Sequence, residues 1–213
     1  MKLSYLFFVF IFTASSFSAS SQSVFDGKDT INYPYHLWND LVIETTNTAA
    51  NTAYLSIEEK NIIWLCNLAR FDGDLFSKTF VKEYIEKNQV IYSPYVKSLF
   101  SDLKKTKKVV LYKPDKRIYE LAKGHAIWCG KKGKTGHKKF QERAKKSKHT
   151  KFAENAQYGD FIAIDIIMDL LIDEGISSLG HRKNILSPLY KHIGVAIEPH
   201  KTYKYNCVMD FGG

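Results

Sequence analysis

Histidine, cysteine and carboxylate are the side chains of this chain with chemistry to offer, and none follows a familiar nucleophile or metal spacing. No His-Glu-x-x-His occurs, which excludes a thermolysin-like helix site. Gly133-Lys134-Thr135 imitates the end of a phosphate loop, but the required first glycine falls at Trp128 and a helical pattern precedes it. The stretch from Gly175 to Gly180 lacks the Gly-x-Ser-x-Gly of a nucleophile elbow. His125 shares a helical face with Ile118, Ala122 and Cys129, the placement of a packed core histidine. Asp165, Asp169 and Asp173 recur every fourth residue as a polar stripe on an otherwise apolar helix, so solvent or structural pairs should claim them.

Cys66, Cys129 and Cys207 are odd in number and widely scattered, which is no disulfide framework. Buried thiols are the expectation, with a Cys129–Cys207 bridge left open. The formal charge is +9, and residues 131–151 hold ten Lys or Arg against one acid, Glu142, so one segment carries the whole excess. Lys138, Lys139, Arg143, Lys145 and Lys146 form its candidate anion-binding patch. A solvated loop is the default for such a run. As a binding surface it would meet anionic lipid or surface polymer. Only Phe140 and Phe152 lie among or beside the lysines, thin for base stacking, so nucleic acid is not expected.

The elements that must position these groups are mostly helical. Ser56 and Glu59 form a capping box ahead of an apolar face at Ile62, Leu65, Cys66 and Ala69. Further helices are expected over 75–87, 95–105, 115–129 and 160–174, the last ended by Gly175, then strands over 192–198 and 203–211. Helices around a small antiparallel sheet make an α+β domain. Residues 22–54 look like an irregular lead-in. Residues 1–21 read as a signal peptide: Lys2, an apolar run to Phe12, then small residues, with cleavage between 19 and 22. Export to the extracellular space or periplasm follows. Beyond that segment no apolar run is long enough to span a membrane.

Four blocks in fixed order carry a family resemblance. They are Leu121-Ala122 with His125-Ala126, Gly136-His137, Glu154-Asn155-Ala156 with Gly159, and Gly180-His181-Arg182-Lys183-Asn184-Ile185-Leu186 followed by Ile193-Gly194-Val195 and Asp210-Phe211-Gly212. Together they resemble the CAP superfamily of cysteine-rich secretory and pathogenesis-related proteins, as a bacterial-type member with its domain over 55–213. The resemblance implies an α-β-α sandwich whose central cleft holds two histidines and two acids. Carried over, these are His137, Glu154, His181 and an acid just before the last histidine. Helical phase favours Glu174 over Asp173 for that acid, and His149 is the alternative first histidine. Asn155 is expected to satisfy loop backbone and Arg182 to pair with a cleft acid.

Two imidazoles and two carboxylates suit Zn²⁺, with His137 and His181 as metal ligands. Three functions follow as expectations. The first is a secreted, non-catalytic binding module for lipid or sterol. The second is a metal-assisted peptidase or nuclease with Glu154 or Glu174 activating water. The third is an adhesion protein using residues 131–151. Ligand, turnover and oligomeric state are not legible.

Overall fold

The computed structural model describes residues 35–213; the expected signal peptide over 1–21 and the lead-in residues before 35 lie outside them. A short 3-10 turn, Tyr35–Leu37, leads into α1 (Asp40–Thr46). Next come α2 (Ile57–Phe71), α3 (Gly73–Phe76), a π-helical turn over Ser77–Val81, α4 (Lys82–Lys87) and α5 (Pro94–Lys105). The two-residue strand β1 (Lys113–Pro114) precedes α6 (Lys116–Lys132), α7 (Phe140–Ser147), β2 (Phe152–Tyr158), α8 (Ala163–Ile172) and α9 (Gly180–Leu186). The hairpin β3 (His192–His200) and β4 (Lys204–Gly212) closes the described chain.

Local chemistry explains most helix starts. Ser56 accepts from the Glu59 amide while the Glu59 carboxylate accepts from the Ser56 amide, the expected capping box. Asp115 caps α6, and Gly133 ends it in the left-handed region at φ 62. The lead-in is less irregular than expected. Tyr35 and Trp38 join the core, and Thr46 accepts from the Trp64 indole, so residues 35–46 pack as part of the domain. Two elements inside the basic and Glu-Asn segments escaped the periodicity reading, α7 and β2. Their apolar residues are too few, or too evenly buried, to show a period.

The sheet order is β1-β3-β4-β2. It is mixed, since β1 adds to β3 in parallel while the other pairs are antiparallel. Residues opposite one another across a sheet share a face. Gly194, Asp210 and Glu154 therefore form one row across β3, β4 and β2. That row faces α6, because a Cβ on Gly194 would sit 2.2 Å from the Tyr119 amide nitrogen. Neighbouring residues point the other way: Phe211 packs on Tyr112, and Asn155 bonds to α9. Helices α2, α8 and α9 cover that second face, completing three layers. This is the α-β-α arrangement.

All three cysteines are buried free thiols, and burial pushes Cys66 up to about 12. No helix among the described residues is long and apolar enough to cross a membrane.

Candidate functional site

Glu154 is the hub of the α6 face. Its carboxylate is almost wholly buried, with 1% of the side chain exposed. Oε1 accepts from His137 Nδ1 at 2.7 Å, and His125 Nε2 lies 3.7 Å away. Oε2 accepts from the Arg143 guanidinium, whose other end donates to the Lys138 carbonyl. Helix α7 exists, in effect, to lay Arg143 across β2. Burial alone would raise the Glu154 carboxyl, but the His137 hydrogen bond and Arg143 outweigh it and hold it below its ordinary value.

Directly opposite on β4 stands Asp210, fully buried. Neither of its oxygens receives a donor from the protein. Burial, then the charge of Glu154, push its carboxyl well above the ordinary range. Two adjacent buried carboxylates repel, so Asp210, pushed up, favours its protonated form while Glu154, held low, favours the charged one. His125 is buried and donates Nε2–H to the Gly136 carbonyl at 2.9 Å; burial lowers its pKa, so it is neutral near pH 7.

The second dyad belongs to the opposite layer. Helix α8 stops at Ile172, and Asp173 turns into the left-handed region at φ 57. Its Oδ1 accepts from His181 Nδ1 at 2.7 Å, and its Oδ2 from the His181 and Arg182 amides. The expectation for Glu174 is thereby corrected. The helix that carried that phase ends two residues early, at Ile172, and the reversed backbone swings Asp173 out of the Asp165–Asp169 stripe toward α9. Glu174 lies on the surface and accepts from the Ser93 hydroxyl.

Other candidates separate as cleanly. His149 packs against His192 at 5.0 Å between ring centres and lies 3.7 Å from Asp115, near the start of α6. Arg182 is buried, but its guanidinium bonds Asp102, Ser98 and the carbonyls of Tyr95, Leu171 and Ile172 instead of a cleft acid. It closes the end of α8. Asn155 donates to the His181 carbonyl and accepts from Asn184, tying α9 to β2. Arg143 belongs to Glu154 and is buried, so it leaves the expected surface patch. Lys145 is exposed, while Lys138, Lys139 and Lys146 border a groove between α6 and α7.

Because a carboxylate only accepts, Nδ1 of each dyad imidazole carries a proton, and in the neutral tautomer Nε2 keeps its lone pair. The His137 side chain is 49% exposed and that of His181 is 25% exposed. An open depression of about 340 Å³ is lined by His137, Phe140, Phe152, Ala153, Glu154 and Asn184. His181 is not among its walls. Among the described residues, no group of three or more His, Cys, Asp or Glu is placed to hold a metal ion. With both carboxylates committed to Nδ1 and Glu154 also to Arg143, the donors left for a cation are at most one Nε2 from each dyad. That set falls short of the roughly three or four protein ligands of a resident zinc.

Asp210 is the functional neighbour that sequence reading missed. It appeared only as the first letter of a closing motif, and β4 is buried on both faces, so no alternation marked its direction.

No curated protein matches this chain. Among solved structures, an outer surface protein of Borrelia burgdorferi is similar at 17% identity and a TM-score of 0.43, covering 58% of this chain and 95% of that one. A cysteine-rich secretory protein of Staphylococcus aureus is similar at 15% identity and a TM-score of 0.40, over 58% of this chain and 40% of that one. The model of the cysteine-rich secretory protein family (CAP) matches residues 65–211. That span takes in β1 to α9, the hairpin up to Phe211, and every residue of both dyads. This chain belongs to the cysteine-rich secretory protein family.

Proposed function

We propose that the protein is an exported, non-catalytic binding module that captures an apolar ligand bearing a hydroxyl group, a description that a sterol fits. The observation that carries this reading is the open depression beside Glu154. Phe140 and Phe152, 5.5 Å apart between ring centres, give it an apolar wall, and the fixed imidazole of His137 offers an acceptor beside them. Export rests on residues 1–21 and on the extracellular habit of the family.

Ligand capture needs a preset acceptor and a dry wall, and both are present. Turnover needs a nucleophile or an activated water. The three thiols are buried, and the burial-raised pKa of each disfavours the thiolate. Divalent metal enters this reading only as an exchangeable occupant of the Nε2 atoms of His137 and His181.

The test is binding of a fluorescent sterol to the purified full-length secreted protein. His137→Ala and Phe140→Ser should each weaken it several-fold while leaving the fold intact by circular dichroism. Binding indifferent to both substitutions overturns the site. Hydrolysis of peptide or nucleic acid that disappears in His181→Ala overturns the non-catalytic reading. Retention of one Zn²⁺ per chain through gel filtration overturns the exchangeable role given to metal.

A further inference from the structure

A second groove lies between α6 and α7, sharing His125 and Arg143 with the Glu154 cluster, and encloses about 410 Å³. On α6 it is lined along one helical face by Glu120, Leu121, Gly124, His125 and Trp128, whose spacing places them in line over two turns. The other wall comes from the turn before α7 and from α7 itself, including Lys138, Lys139, Glu142 and Lys146.

Four observations give this groove the character of a binding site. Gly124 stands in the middle of α6, where glycine is the costliest residue but proline. The protein's own packing does not ask for it, since a Cβ there would meet nothing within 4 Å. Its absence leaves the helix backbone open to close approach from the groove. Lys138 reaches over the Trp128 ring at 4.9 Å, and among the described residues neither it nor Lys146 forms an ion pair. Lys139 sits at φ 61, a left-handed position where glycine is the cheaper residue, yet a long cationic side chain is kept there. Finally, two carboxylates share the rim: Glu142, paired with Lys139 at 3.3 Å, and Glu120, which has no cationic partner among the described residues.

We propose that this groove binds an acidic glycan, one or two sugar units at a time. Unpaired lysines provide for sulfate or uronate groups. Trp128 and Leu121 offer the flat apolar surface on which a sugar ring lies, with Lys138 free to swing from the indole onto the ligand. The carboxylates decide between classes of anion. Glu120 and Glu142 would repel a surface made only of phosphates, such as an anionic membrane, whereas they accept hydroxyl hydrogens from a sugar. A ligand that carries both hydroxyls and negative charge matches the whole lining.

The experiment titrates the full-length secreted protein with a heparin-derived tetrasaccharide by calorimetry, beside a neutral dextran tetramer and phosphatidylglycerol vesicles. Gly124→Leu is the decisive variant. It restores helix propensity and should raise the melting temperature by about 2–4 °C, while its side chain fills the groove and weakens tetrasaccharide binding by roughly tenfold or more. Unchanged affinity in Gly124→Leu overturns the proposal. Neutralising Lys138 and Lys146 together should reduce affinity far more than neutralising Lys131 and Lys132, which carry the same charge outside the groove. Equal losses in the two pairs would mean diffuse electrostatic attraction and also overturn it. Tighter binding to the vesicles than to the tetrasaccharide overturns the glycan assignment in favour of a lipid surface.

Discussion

The two histidine–carboxylate dyads have the same contact, Nδ1 to oxygen at 2.7 Å, and different work. Asp173 holds His181 with one oxygen and the first amides of α9 with the other, so this dyad joins two helix ends. Glu154 holds His137 within a charge cluster of Arg143, His125 and Asp210, so that dyad governs where a charge and a proton reside. A short imidazole–carboxylate contact is therefore no signature of function by itself. What surrounds the carboxylate decides whether the pair is a structural cap or an electrostatic site.

Substitutions that act on one dyad and spare the other break the comparison. Arg143→Leu should have the largest effect. It strips the cation from a buried carboxylate that already has a second carboxyl beside it, and should cost about 3 kcal/mol in urea unfolding at pH 7. Asp173→Ala should come next, at about 2 kcal/mol, because the His181 imidazole and the α9 amides lose their acceptor together. Amide exchange should then quicken in α9 and not in β2.

Asp210→Asn sharpens the contrast through pH. Native Asp210 keeps a proton that the unfolded chain releases above about pH 4. The folded state therefore binds more protons, and this group makes stability fall as pH rises from there until the native carboxyl ionises. Glu154, held below its ordinary value, contributes the opposite slope, stability lost as pH falls through its folded pKa. The asparagine amide can still donate to Glu154 but cannot titrate. Asp210→Asn should accordingly gain on the wild type steadily as pH rises above about 4, measured by thermal melts across a pH series. A constant difference at all pH values would rule out the raised Asp210 carboxyl. Smallest of all, Glu174→Gln should leave both the unfolding midpoint and the His181 imidazole resonances where they are, since the one side-chain hydrogen bond of Glu174 among the described residues is to Ser93 at the surface.

Much of this molecule was legible in its sequence because local rules were enough. The Ser56–Glu59 capping box, the opening of α6 near Asp115 and the closing hairpin all depend on residues a few positions apart. His137, Glu154 and His181 were legible through motif blocks, which record residue identity and order. Chain reversal and strand register were not. Whether Asp173 or Glu174 meets His181 depends on a single left-handed residue, and a helical phase carried past Ile172 points the wrong side chain inward. That Asp210 stands against Glu154 depends on the pairing of β2 with β4, fifty-odd residues apart and buried on both faces. Arg143 looked like one more charge in a basic run until α7 and β2 brought it onto a carboxylate. Short-range hydrogen bonding and periodicity are written along the chain, so the sequence determined most of the elements and the family. Partners across the sheet are chosen by packing and register, and only the tertiary structure decided those.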